Sequence, residues 1–371
     1  MRFEATLSEL KNTGNLRRIP LSLGDGMVDF TSNDYLGFGS DELLREEFFS
    51  RHSGASLAMT SSASRLLAAS QDSYSSLEQC LEDSYGRPAL LFNSGYHANT
   101  GIIAAIASSS SLILADRLVH ASIIDGMKLS GASFRRFPHN DFDKLESLLE
   151  DNYKKHDSVI VIVESIYSMD GDRADLGRVA DLKKRFPDII LYVDEAHAVG
   201  VSGEAGLGET VRQGTFQSVD IIVGTFGKAL ASFGAFAVVS KPVRDYLINK
   251  SRALIFSTAL PPIQVAWSEF VWRHMLSADS ARANLERNSN LMAEIIPGGE
   301  PSHIRPWIIG DAVKAVEISG ILAKNGFNVL PIRTPTVPPG TERLRFSLSA
   351  AINPEEFVRL RQAINTINRQ K

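Results

Sequence analysis

From about residue 85 to residue 240, short apolar, β-branched runs alternate with helix-patterned stretches, and this alternation restricts the chain more than any other feature. The runs are Ala89–Phe92, Leu112–Ala115, Ser158–Glu164, Ile189–Asp194, Ile221–Gly224 and Ala235–Ser240. Several are apolar throughout, as strands buried on both faces are. Helical periodicity fills the gaps at Tyr74–Tyr85, Tyr96–Ala107, Ala121–Ser130, Phe142–Glu150 and Leu176–Arg185. The alternation predicts an α/β fold around a mostly parallel central sheet flanked by helices. After Ser240 the pattern loosens into longer helical stretches, then short strands and helices from about His303, which predicts a smaller α+β part. The expected organisation is an N-terminal arm (1–40) ending where a helix is capped at Ser40-Asp41, a large α/β domain (41–240) and a C-terminal α+β domain (241–371).

The bulk numbers narrow the function. The chain has 371 residues, 44% of them hydrophobic, and a net charge of −4. Its longest basic runs, Arg135-Arg136 and Lys183-Lys184-Arg185, read as solvated faces, so neither a nucleic-acid partner nor another polyanion is expected. Cys80 is the single cysteine, which excludes an internal disulfide and a cysteine-based metal cluster, and its apolar-periodic surroundings suggest a buried thiol. The N-terminus lacks the apolar core of a signal peptide, and no apolar stretch approaches the roughly 20 residues needed to span a bilayer. A cytoplasmic protein without membrane contact is expected.

In a sheet of this type ligands bind outside the carboxyl ends of the strands, so the residues following each strand carry the functional signal. They include Asn93-Ser94-Gly95-Tyr96, the run Asp116 to His120, the run Ser165 to Asp172, Asp194-Glu195-Ala196-His197, and Thr225-Phe226-Gly227-Lys228. Pyridoxal 5′-phosphate (PLP) would use this set. It needs an amine for an imine bond, a carboxylate against the pyridine nitrogen, a partner for the phenolate oxygen, a flat group over the ring, and donors for the phosphate. Lys228, Asp194, His197 and His120 can fill the first four roles in that order, with Gly95, Tyr96 and Thr225 at the phosphate. Taken singly, each has a duller explanation: a histidine as structural hydrogen-bonder, an aspartate as helix cap, a lysine on the surface. Their joint appearance at successive strand ends favours the cofactor. Competing motifs fail. Gly227-Lys228 lacks the upstream glycine of a phosphate loop, with Ala229 where Ser or Thr would bind magnesium. There is no nucleophile elbow, no HExxH, and no further ligand beside Asp194 and His197 at metal-binding spacing, so no metal is expected.

At these residues the sequence resembles the α-oxoamine synthase family of fold-type I PLP enzymes. The matching stretches are SNDYLGF (32–38), SASRLLAAS (62–70), FNSGYHAN (92–99), DRLVHASIIDG (116–126), SMDGD (168–172), DEAHAVG (194–200), TFGKAL (225–230) and FSTALPP (256–262). RRFPHND (135–141) and IRTPTVPPGTERLRFSLSA (332–350) point to the member that condenses L-alanine with a pimeloyl thioester, on CoA or an acyl carrier protein. Sister activities use glycine or serine with other acyl-CoAs, and some relatives of this fold are non-catalytic binding subunits. The resemblance implies that Lys228 carries PLP and removes a substrate proton, and that Ser168 belongs to the cofactor site. It implies that Arg333, with Thr336 beside it, holds a carboxylate, and that Arg17, or its neighbour Arg18, contacts substrate. Asn33 would border the site. Thr258 would reach the partner subunit's phosphate in a homodimer with shared active sites. The sequence departs from the family at Thr60–Ser64, Tyr74, Ala198 and Ala231; the first and the last two stand where glycine is usual, and an added Cβ restricts positive φ.

Overall fold

The computed structural model describes residues 2–17, 19, 24, 26–52, 57–68 and 72–369. The chain divides into two compact units: one from Leu36–Tyr167 and Arg173–Arg282, the other from the segments up to Tyr35, Ser168–Asp172 and Ala283 onward.

The larger unit begins with helix α1 (Glu42–Arg51), whose cap Asp41 accepts a hydrogen bond from the Leu44 N–H. Helix α2 (Asp72–Tyr85) follows, then strand β1 (Ala89–Phe92), α3 (Gly95–Ile106), β2 (Ser111–Asp116), α4 (Ala121–Ser130) and β3 (Ser133–Phe137). Next come α5 (Phe142–Asn152), β4 (Ser158–Glu164), α6 (Leu176–Arg185), β5 (Ile190–Asp194), β6 (Ile221–Thr225), β7 (Ala235–Val239) and, later, α7 (Pro262–Leu276). The seven strands form one sheet in the order β1-β7-β6-β5-β4-β2-β3. All neighbours are parallel except β7, which runs antiparallel to β1 and β6.

Strands β1, β2, β6 and β7 are buried along their whole length, matching their largely apolar sequence. One sheet face packs Ile113, Ile160, Tyr192 and Val223 against Ile102 and Ile103 of α3 and Ile123 and Met127 of α4. Strand β3 is the exception to the expected pattern. It reads SFRRF, pairs on one side only, and is exposed at its first four positions. An edge strand facing water shows no apolar run, so Arg135-Arg136 reads as a solvated face, which it is, and the strand beneath is missed. Likewise Ser240 leaves β7 and stands at the N-cap of a following helix (Lys241–Lys250).

The topology selects a location. From β2 the chain moves outward to β3, then returns to the other side of β2 as β4 and continues away from it. Such a reversal opens a crevice at the carboxyl ends of the strands. The β2 and β4 ends are tied there: the His120 N–H donates to the Glu164 carboxylate.

The Thr60–Ser64 segment is held by its own side chains. Ser61 Oγ donates to Leu260 O at 2.8 Å, Tyr74 Oη to the same carbonyl at 3.2 Å, and Ser64 bridges to Thr258. Arg65 lies over the Tyr74 ring, 4.0 Å from its centroid, and forks onto Glu78 at 2.8 and 3.0 Å. Glu78 also accepts from Arg244 at 3.0 Å and from the Leu91 N–H at 3.1 Å. Truncating it would remove an acceptor from two guanidinium groups and from a buried strand N–H. A Glu78→Ala protein is expected to lose about 3 kcal/mol of stability, read as a fall in thermal midpoint. The two departures made under a glycine-like constraint carry it visibly: Ser62 and Ala231 adopt φ of +49° and +44°. Cys80 is buried on α2, and burial pushes its thiol pKa up, as suits an inert sulfur.

The smaller unit holds a three-stranded antiparallel sheet of β8 (Ile304–Ile308), β9 (Leu330–Ile332) and β10 (Arg343–Ser347), with β10 central. A short parallel pair joins Val28–Asp29 to Phe327–Asn328, so the segment before Tyr35 packs with the C-terminal part. Phe30 packs against Phe327, Phe346 and Phe357. Among the described residues, no helix is long and apolar enough to cross a membrane.

Candidate active site

The larger unit assembles most of the expected residues at its strand ends. Asp194 closes β5 and is buried. A buried carboxylate must have its oxygens satisfied, and both are: Oδ1 accepts from the Ala196 N–H at 2.9 Å and Oδ2 from Asn99 Nδ2 at 2.7 Å. Asn99 comes from the first turns of α3 and is fixed in turn, because Tyr192 Oη donates to its Oδ1 at 2.5 Å. Three residues beyond Asp194, the buried His197 places Nε2 2.7 Å from Lys228 Nζ. Lys228 follows β6 on a short loop. Trp267 Nε1 of α7 donates to Ala231 O at 3.3 Å and Gln264 Nε2 donates to Ser232 Oγ at 2.8 Å, and these two bonds tie the loop down.

His120 is the N-cap of α4; its Nδ1 accepts from the Ser122 N–H at 3.2 Å and lies 2.8 Å from Ser122 Oγ. The residue is otherwise exposed. Desolvation lowers its pKa, the Lys228 charge pushes the same way, and Asp194 opposes both. Glu164 is fully enclosed, and burial first, then the neighbouring Asp194, holds its carboxyl well above the ordinary range. The two acids are register partners on adjacent parallel strands and therefore point to one sheet face.

At the start of α3, Ser94 caps the helix by accepting from the His97 N–H at 3.2 Å. The first-turn N–H groups of Gly95 and Tyr96 have no intrahelical acceptor and form an anion seat. A Cβ placed on Gly95 would lie 3.9 Å from Thr225 Cβ, so the end of β6 borders this seat. Thr225 Oγ1 donates to Gly234 O at 3.0 Å and accepts from the Gly227 N–H at 3.1 Å, shaping the lysine loop. Tyr96 Oη donates to the Asp125 carboxylate. Thr258 is exposed, and its carbonyl accepts from Asn93 Nδ2 at 2.7 Å.

The remaining expected residues belong to the smaller unit. Arg17 Nη2 donates to Thr336 Oγ1 at 2.8 Å, and Arg333 Nη1 donates to Gly14 O. Burial first and the Arg17 charge second lower the Arg333 pKa. Arg18 lies outside the described residues. Arg345 gathers Ser168 and Asn33: its Nε donates to Ser168 O at 2.6 Å and its Nη2 to Asn33 Oδ1 at 3.2 Å. Asn99, Ser122, Glu164, Tyr192 and Arg345 were not singled out by the sequence reading. The signal available was a polar residue inside an apolar or motif-bearing stretch, as with Asn99 beside Ala98, Ile102 and Ile103. Among the described residues, no group of three or more His, Cys, Asp or Glu is placed to hold a metal ion.

Comparison with known proteins decides what this geometry belongs to. The model of the aminotransferase class I and II family matches residues 25–364. The chain belongs to this family. A protein of Pasteurella multocida (strain Pm70), named "Putative 8-amino-7-oxononanoate synthase", is 45% identical over 370 residues, 95% of this chain and 96% of that protein. One of Neisseria meningitidis serogroup C (strain FAM18) bears the same name at 44% identity, covering 95% of this chain and 97% of its own length. Serine palmitoyltransferase from S. paucimobilis, solved with a bound PLP–myriocin aldimine, superposes with a TM-score of 0.90 at 26% identity, covering 100% and 97% of the two chains. The 8-amino-7-oxononanoate synthase of Francisella tularensis does so with a TM-score of 0.76 at 28% identity, over 94% and 98%. Within the family the chain is thus a fold-type I, PLP-dependent acyltransferase of the α-oxoamine synthase branch. The residues present fit the cofactor: a buried carboxylate fixed at a strand end, an amine beside an imidazole, and a helix N-terminus bordered by Thr225.

Proposed function

We propose that the protein condenses L-alanine with a pimeloyl thioester, carried on CoA or an acyl carrier protein. The products are 8-amino-7-oxononanoate, CO₂ and the free thiol, as biotin biosynthesis requires. The joint placement of Lys228, His197 and Asp194 carries the chemistry, and the names of the relatives support the choice of substrates. PLP, when bound, supplies an electron sink for negative charge at the amino acid's Cα.

The chain's own groups do the rest. Lys228 Nζ would hold PLP covalently and, as a free amine, would be placed to take the Cα proton. Asp194 would face the cofactor's ring nitrogen, both its oxygens already oriented by the Ala196 N–H and Asn99 Nδ2. His197 serves the phenolate oxygen and stays within hydrogen-bond reach of Lys228. His120 offers a flat face, and Gly95, Tyr96, Thr225 and Ser168 serve the cofactor's phosphate and its surroundings. The Cα–acyl bond forms as the thiolate leaves, CO₂ departs from the resulting β-keto acid, and a proton returns to Cα.

Arg333, Arg17 and Thr336 are assigned to a carboxylate, with Asn33 nearby; the Arg17–Thr336 hydrogen bond and the forked donors of a guanidinium suit that role. An Arg333→Leu protein is expected to raise the KM for the amino acid by about tenfold or more, with a smaller change in kcat, measured by steady-state assay. Thr258 is assigned to the phosphate of the partner subunit in a homodimer, and the protein to the cytoplasm.

The deciding experiment assays thiol release with alanine, glycine and serine against pimeloyl, acetyl, succinyl and long-chain acyl thioesters. Alanine with pimeloyl thioester is expected to give the highest kcat/KM. A preference for glycine or serine would reject the substrate assignment and leave the cofactor in place.

A further inference from the structure

The hydrogen-bond chain behind His120 can be oriented atom by atom. Tyr192 Oη has one proton and gives it to Asn99 Oδ1 at 2.5 Å, which fixes which end of the Asn99 amide is which. Asn99 Nδ2 then spends its two protons on Asp194 Oδ2 at 2.7 Å and Ser122 Oγ at 2.9 Å. The opposite amide orientation would set a carbonyl against a carboxylate and a donor against a hydroxyl proton. Ser122 Oγ, already an acceptor, has its own proton left to give. The acceptor in reach is His120 Nδ1 at 2.8 Å, which the Ser122 N–H also approaches, at 3.2 Å. Two donors converging on Nδ1 leave no room for a proton there. The imidazole proton must sit on Nε2.

We propose that Ser122 and Asn99 are positioning residues that lock His120 as a neutral imidazole with its proton on Nε2, so that His120 acts as a hydrogen-bond donor and never as a base at Nδ1. Burial agrees with this assignment, since Asn99 and Ser122 are 2% and 0% exposed and have no water to turn to. The backbone agrees too, since the His120 N–H is pinned by Glu164, which fixes where the ring starts. The charges around the ring are Lys228, Asp194 and Asp125. The relay ends on Asp194, so the carboxylate assigned to the cofactor's ring nitrogen and the imidazole assigned to its face are set by the same asparagine. The role toward the cofactor rests on the function proposed above; the proton position does not.

The test is nitrogen NMR on full-length protein labelled with ¹⁵N-histidine, with and without PLP, His120 being assigned by its absence from a His120→Gln spectrum. At pH 7 the wild type is expected to show an unprotonated Nδ1 and a protonated Nε2. A proton on Nδ1, or a doubly protonated ring, would overturn the proposal, and this measurement needs no variant to fold. In Ser122→Ala the backbone donor remains but the hydroxyl is gone. The Nε2-protonated form is then expected to lose its dominance, and kcat to fall about five- to tenfold, the scale of one lost hydrogen bond, with KM changing less than about twofold. An unchanged tautomer in Ser122→Ala would remove Ser122 from the relay. Failure of the alanine and pimeloyl thioester assay would reject the substrate assignment and leave the NMR result untouched.

Discussion

A Lys228→Ala protein is expected to retain its fold and to lose at least about 10³-fold in kcat. The fold should survive because Lys228 is only partly buried and its loop is held by other groups, the Trp267 and Gln264 side chains and the Ser232–Ser268 hydroxyl pair. The activity should not survive, because one amine has two duties. In the proposed scheme it anchors the cofactor and is also the base that takes the Cα proton. His197 is not expected to substitute: its ring is assigned to a cofactor oxygen, and its 2.7 Å partner in the wild type is Lys228 Nζ itself. Borohydride treatment of the wild type in the presence of PLP should leave the cofactor on the peptide containing Lys228 and on no other. Turnover by Lys228→Ala at a comparable rate would sink the scheme.

Asp194→Asn is expected to be the second most damaging change, lowering kcat by roughly 10²- to 10³-fold and weakening PLP binding. The shape is nearly conserved, so the loss separates charge from size. Both Asp194 oxygens accept hydrogen bonds, from the Ala196 N–H and from Asn99 Nδ2. An asparagine must turn its NH₂ toward one of these donors, which costs about 1–3 kcal/mol of stability at a buried position. It also removes the negative charge that a pyridinium would face. Spectroscopic titration with PLP, thermal melting and steady-state kinetics would each report a different part of this loss. An Asp194→Asn protein with wild-type kcat would exclude Asp194 from the cofactor's ring nitrogen.

Much of the fold was legible because strands buried on both faces must be apolar, and β1, β2, β4, β5 and β6 are mostly Val, Ile, Leu and Ala. The edge strand β3 was not, since solvent on one side removes the pattern that reveals a strand. The site was legible where a residue's neighbours in sequence announce a turn after a strand, as for Lys228, Asp194, His197 and His120. It was illegible where a polar side chain works across elements. Asn99 sits on α3, Tyr192 within β5, Ser122 on α4, and only the packing of the three shows that they form one chain of donors and acceptors. Glu164 ends a strand in full view, yet its role on the His120 backbone depends on β4 returning beside β2. The glycine-substituted positions were visible as anomalies, and Ser62 and Ala231 indeed take the backbone conformation that glycine would favour.

The fastening of the lysine loop has a practical side. Trp267 is one of three tryptophans, and its indole N–H ends on the carbonyl of Ala231, three residues beyond Lys228. Indole emission responds to the hydrogen bond its nitrogen makes and to quenchers close by. The molecule therefore contains a native optical gauge seated against the segment that carries Lys228. With Trp272 and Trp307 replaced, that gauge would follow the order of the loop in real time without any attached dye.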